Sequence, residues 1–113
     1  MKREYNQEVT DQIRELLVEQ KNVVEKEMFN GLCFMVDDKM CICVTKEDLL
    51  CRIGEERVEK ELELGSCRPM MMNGRVSKDF VYVDLIEIPD QKRLKHWISL
   101  CLDFNPIAKA SKK

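Results

Sequence analysis

The chain has no long apolar run: none exceeds five residues, far short of the ~20 a membrane helix needs. Its first residues, Met1 to Glu8, place a Lys-Arg pair ahead of no apolar core. That argues against a secretory signal, so the expected location is the cytoplasm, with no membrane partner. Histidine occurs once, which leaves little for Ser-His or Cys-His catalysis or for a histidine-rich metal site. There is no C-x-x-C, G-x-S-x-G, phosphate-binding glycine loop or H-E-x-x-H, so redox, hydrolase, nucleotide and zincin signatures are all missing. No catalytic constellation and no cofactor are expected. Repeats, linkers and low-complexity segments are also absent.

What is present suits one globular domain spanning residues 1–113. Of these residues 44% are hydrophobic and 35% charged, enough for a core without staples. The six cysteines sit mostly inside apolar runs and are expected to be reduced and packed as small hydrophobes. The net charge is −2, but it is uneven. Residues 1–64 hold sixteen acids and ten bases, whereas residues 65–113 hold five and nine. The basic half is either an ordinary solvated surface or a face for an acidic partner or nucleic acid.

Periodicity lays out the elements. Tyr5, Val9, Ile13, Leu16 and Leu17 form one helical stripe over Asn6 to Gln20, with Asn6 as N-cap. Val23 to Met28 reads as a short strand. Between Met28 and Ile53 lie three strands joined by a two-residue turn at Asp37-Asp38 and a four-residue turn over Thr45–Asp48. Gly54 ends the third of them. A short helix covers Glu55 to Leu64 and stops at Gly65. Arg68–Met72 and Phe80–Val83 flank an Asn73-Gly74 turn, with Pro69 favouring a sheet edge. The last helix starts at the N-cap Asp90, buries Leu94, Trp97, Ile98 and Cys101, and stops at Asn105-Pro106. Residues 106–113 are expected to be a frayed basic tail.

Strict hairpin pairing predicts the faces of the central strands. Val36 pairs with Lys39, Phe34 with Cys41 and Leu32 with Cys43. One face then carries Cys33, Met35, Met40, Ile42, Val44, Leu49, Cys51 and Ile53 and meets the helices. The other carries Leu32, Phe34, Val36, Lys39, Cys41, Cys43, Leu50 and Arg52. Too apolar for water, it is expected to be a covered interaction face, with a second subunit as the cover.

Three groups carry chemistry worth weighing. Cys41 and Cys43, two apart on a strand, are expected to project together about 6.6 Å apart by strand rise. That is near the limit for a disulfide and makes half of a tetrahedral metal site, against the plainer reading of packing residues. Met70-Met71-Met72 offers soft thioethers or gap-filling bulk. Arg68 and Arg75 offer an anion or partner contact, or ordinary ion pairs. His96 falls beside the buried stripe of the last helix, partly exposed. The carboxylates read as solvated helix charge.

Taken in order, these motifs resemble a known family. Met28-Phe29-Asn30-Gly31-Leu32 resembles the M-F-G-G opening of the TfoX N-terminal domain, of the TfoX/Sxy family. Asp48-Leu49-Leu50-Cys51-Arg52 resembles its L-x-L-R strand. Arg68-Pro69-Met70, Gly74-Arg75-Val76 and Phe80-Val81-Tyr82-Val83 resemble its R-P-M…G-R-P-M…Y-V-x-V stretch, and Leu94-x-x-Trp97-Ile98 its L-x-x-W helix. Asn30 and Val76 depart from the usual glycine and proline. The chain resembles the N-terminal domain standing alone, without the second, helical domain of the competence regulators. The resemblance implies an α+β, two-layer fold: an antiparallel sheet of five to six strands, with helices at the N-terminus, middle and C-terminus. It implies no catalytic residue or cofactor. The expected role is a non-enzymatic cytoplasmic regulatory or protein-interaction module, with itself and an unidentified protein as partners. The alternatives are a thiol- or metal-responsive protein using Cys41 and Cys43, and a transcription-related DNA contact through Arg68, Arg75 and the Lys92–Lys95 region.

Overall fold

A computed structural model describes residues 5–28, 31–88 and 90–108. The element order is α1 (Gln7–Leu16), β1 (Val23–Met28), β2 (Gly31–Val36), β3 (Lys39–Val44), β4 (Asp48–Arg52), α2 (Glu55–Leu64), β5 (Arg68–Met72), β6 (Arg75–Asp84) and α3 (Gln91–Phe104). All six strands form one antiparallel sheet in the order β1-β2-β3-β4-β6-β5. This is the α+β fold and helix placement expected.

Local chemistry explains the boundaries. Asn6 caps α1, its side chain accepting from Val9 N at 2.9 Å, and Asp90 caps α3 by accepting from Arg93 N at 3.0 Å; each satisfies one orphan N–H of a first turn. Helix α1 ends at Leu16, before the Gln20 expected, and Val18 beyond it is 76% exposed. Gly65 ends α2 in the left-handed region at φ 76°, where a Cβ is costly. Asp37 and Asp38 both have positive φ, 54° and 65°, as a two-residue hairpin with right-handed strand twist requires. Phe29 and Asn30 of the family motif lie outside the described residues, as do Pro89 and residues 109–113 of the tail. The nearer part of that tail is ordered: residues 105–107 form a 3-10 turn, and Asn105 and Ala108 are buried.

One irregularity changes the face assignment. Phe34 pairs with Ile42 but the next residue, Met35, pairs with Met40, so Cys41 is an extra residue on β3. A bulge of this kind sets two residues against one. Faces counted back from β4 therefore reverse for Cys41, Met40, Lys39 and the whole of β2. Leu32, Phe34, Val36 and Cys41 lie in the main core with Ile42, Val44, Leu49, Cys51, Val81 and Val83. They pack against Ile13 and Leu17 of the N-terminal segment and Leu94, Trp97, Ile98 and Cys101 of α3. Lys39 also turns to the helix side, donating from Nζ to the Asn105 carbonyl at 3.1 Å, a cation at a helix C-terminus. Cys33, Met35 and Met40, expected among the helices, lie on the opposite face with Cys43 and Leu50.

Charged residues fasten the layers at the edge. Arg14 of α1 grips Glu25 of β1 with two donors, at 2.7 and 2.8 Å. This bidentate pair holds the carboxyl of Glu25 below its usual range. Being well exposed, the pair contributes no more than about 1 kcal/mol.

Candidate functional site on the second face of the sheet

The face opposite the helices was expected to hold Leu32, Phe34, Cys41, Cys43, Leu50 and Arg52. Only Cys43, Leu50 and Arg52 keep that place; Leu32, Phe34 and Cys41 belong to the helix-side core because of the bulge. The second cluster consists of Cys33, Met35, Met40, Cys43, Leu50 and Met70, with Met28, Phe80 and Tyr82 packed against it. All nine residues come from strands, yet the first six are at most 6% exposed. Burial without a helical lid has to come from the sheet itself. A sheet that twists and coils brings its outer strands over its middle, and here β1 contributes Met28 and β5 contributes Met70. The apolar face therefore leaves water without a second subunit.

Cys41 and Cys43 do not act as a pair. Bulging sends Cys41 to the helix side, into the same cluster as Cys101, and Cys43 to the second face beside Cys33, its direct partner on β2, where the Cys43 thiol donates to the Met28 carbonyl oxygen at 3.7 Å. Hydrogen bonding and then burial push both thiols far above the ordinary range. All six cysteines are free, five are buried, and Cys67 is half-buried. Burial and nearby Glu61 push its thiol up to about 11. In the folded protein, a disulfide-exchange reagent at neutral pH should therefore label Cys67 alone, and faster as pH rises toward 11. The other five should react only at the rate of global unfolding. Fast labelling of a second thiol, followed by mass spectrometry of the peptides, would contradict this burial.

The rim of the face is charged. Asp48 and Asp84 are direct partners across β4 and β6, a repulsive placement for like charges. Arg68 of β5 resolves it, donating to Asp48 Oδ2 at 3.0 Å and to Asp84 Oδ1 at 2.6 Å, with its guanidinium 5.3 Å from the Tyr82 ring. Arg68 is thus a clamp on three strands rather than a free anion contact. Arg68→Met should cost about 1–2 kcal/mol by chemical denaturation, and adding Asp84→Asn should recover most of it. Equal losses in the single and double variants would refute the clamp. Arg75, by contrast, is exposed at the β5–β6 turn. At the end of β4, the guanidinium of Arg52 stands 5.4 Å from the Phe80 ring and 6.0 Å from the Phe104 ring. Its Nε is buried and has no hydrogen-bond partner among the described residues, and the two rings give the guanidinium a cation–π contact.

The sequence reading missed the partners of these arginines. Asp48 and Asp84 were visible only as turn and strand-end acids. It also missed Glu61, 7% exposed on α2, which accepts from Ser66 Oγ at 3.0 Å and lies 3.6 Å from His96 Nε2. A carboxylate at i+3 from Val58, on the buried stripe of α2, was the available signal. His96 is partly exposed, as expected. Met70 joins the second cluster, whereas Met71 is 56% exposed.

A cavity of about 210 Å³ opens between the start of α2 and the end of α3, lined by Gly54, Glu55, Glu56, Arg57, Asp103 and Phe104 among others. It is smaller than the ~300–1,000 Å³ of small-molecule sites, and three of its residues are acidic. Among the described residues, no three His, Cys, Asp or Glu side chains converge as metal donors, and no helix is long and apolar enough to cross a membrane.

No curated protein and no solved structure matches the chain. A family model, the TfoX N-terminal domain, matches residues 15–105. That span runs from inside α1 to the end of α3 and takes in the whole sheet, including both arginine clusters. With most of its length accounted for in this way, the chain belongs to the TfoX N-terminal domain family.

Proposed function

We propose that this protein is a non-enzymatic, cytoplasmic regulatory or protein-interaction module that works as a homodimer or with another protein. The working surface, in this reading, is the outer end of the β5–β6 hairpin. One observation carries it: Met71 and Val76 are direct cross-strand partners, yet they are 56% and 51% exposed. Strand β4 pairs only with Phe80–Asp84 of β6, so this apolar pair sits on the part of the hairpin that runs past β4. Strand β5 is also a sheet edge, where unpaired backbone groups invite another strand. The other edge, β1, is blunted by Glu25, Lys26 and Glu27, the usual protection of an edge by charge. Arg75 and Lys78 beside the apolar pair favour a partner with acidic groups at its rim.

Sedimentation equilibrium and partner capture, comparing the wild-type chain with Met71→Glu and Val76→Lys variants, test this reading. Both residues are solvent-facing, so the variants should fold normally while self-association or capture falls at least tenfold. A wild-type chain that stays strictly monomeric at high concentration removes the dimer. Variants that associate and capture like the wild type remove the hairpin surface altogether. Of the alternatives, the DNA contact loses Arg68 to its two aspartates, and the Cys41–Cys43 pairing loses its geometry to the bulge.

A further inference from the structure

The second cluster has a composition that hydrophobic packing does not require. Of its nine side chains, six carry sulfur: Met28, Cys33, Met35, Met40, Cys43 and Met70. The main core, by contrast, includes no methionine, although it is far larger. Burial alone does not sort Met from Leu or Ile, since volume-conserving swaps among them cost little. Cross-strand register then groups the sulfurs. Cys33 faces Cys43, and the next pair along the same face is Met35 with Met40. Directly opposed residues hold their Cβ atoms about 4.5–5.5 Å apart, close enough for two sulfurs to share one ion. Met28, only partly buried at the rim, supplies a sulfur at the way in.

We infer that this interior is a binding site for a soft monovalent metal ion, copper(I), held by a thiolate from Cys33 or Cys43 and by the thioethers of Met35 and Met40. Thiolate and thioether donors select copper(I) over harder ions, and among the described residues no three His, Cys, Asp or Glu side chains come together to hold zinc. Charge fits as well. When the ion binds, one S–H bond breaks, a Cu–S bond forms, the proton passes to solvent, and no oxidation state changes. One thiolate and one monovalent cation make a neutral centre, which a dry interior tolerates. The second thiol keeps its proton. Ionising it too would leave a net negative charge in that dry interior.

Anaerobic titration of the intact chain with copper(I), in competition with bicinchoninate, tests the site. One equivalent should be withheld from the chelator, with one proton released. Cys33→Ser/Cys43→Ser should weaken retention at least tenfold, as expected when metal ligation is disturbed. Cys67→Ser should leave it unchanged. Silver(I), a diamagnetic stand-in, should shift the 13C-methyl resonances of Met35 and Met40 and leave that of exposed Met71 in place. If the double cysteine variant does not fold, Met35→Leu, which keeps the volume, and the methyl shifts decide the matter. The site is refuted if the wild type competes no better than the cysteine variant, if retention is lost with Cys67→Ser, or if the Met35 and Met40 methyls do not move. None of these outcomes touches the hairpin surface, whose test is association.

Discussion

Gly31→Ala should be among the most destabilising single substitutions in this chain, costing about 3 kcal/mol or more, well into the tail of single-residue effects. Gly31 opens β2, and a Cβ added there would stand inside van der Waals contact of the Val44 carbonyl oxygen, with the Val44 carbon at 2.9 Å and the Thr45 Cα at 3.1 Å. All three are backbone atoms of β3 and the turn that follows it. A flexible side chain can swing aside, but a backbone already committed to a sheet ladder moves only by breaking the ladder. Glycine in a strand often marks such a close approach. Urea denaturation with circular dichroism checks this: the midpoint should fall sharply, or the variant should fail to fold. Gly65→Ala makes a useful contrast, because a Cβ there meets nothing within 4 Å and its cost comes only from φ +76°, about 1 kcal/mol. Equal losses at the two glycines would rule out the close-approach account.

Phe34→Ala should cost about 3–5 kcal/mol, the range for emptying a buried aromatic site. Phe34 is fully buried and belongs to the same cluster as Trp97. Domains of this size are stable by only about 5–15 kcal/mol, so the variant should retain little margin. The register makes a sharper statement. Trp97 is the only tryptophan, and it packs in the cluster that contains Phe34 but not Met35. Phe34→Ala should therefore change the native fluorescence of Trp97, and Met35→Leu on the far face should not. The reverse result would show that β2 has the unbulged register.

Much of this fold is legible in the residues taken a few at a time. The caps Asn6 and Asp90, the Asp37-Asp38 turn, the stop at Gly65 and the buried stripe Leu94, Trp97, Ile98 and Cys101 all depend on interactions within about four residues. Those interactions are nearly the same wherever the segment sits. The candidate site was less legible for the opposite reason. Arg68 reads as a free cation until β4 and β6 bring Asp48 and Asp84 to it from 20 and 16 residues away. Glu61 reads as solvated until α3 lays His96 beside it.

Composition, periodicity and turn chemistry by themselves laid out the strand and helix segments, the reduced cysteines and a double-sided apolar sheet, and the family resemblance implied their antiparallel α+β arrangement. They also pointed to the family. Only the tertiary structure decided which side chains share a face. A strand alternates with a period of two, so the single extra residue at Cys41 reverses β2, Lys39 and Met40 relative to Ile42, Val44 and the strands beyond. Nothing in M-C-I-C-V marks that position, because all five residues are apolar and either face accepts them. Packing made the choice, seating Phe34 against the helices and gathering Cys33, Cys43, Met35 and Met40 on the far side. The covering of that far side was likewise a matter of long-range shape: the curl of the whole sheet buries it, which no local stretch of residues encodes.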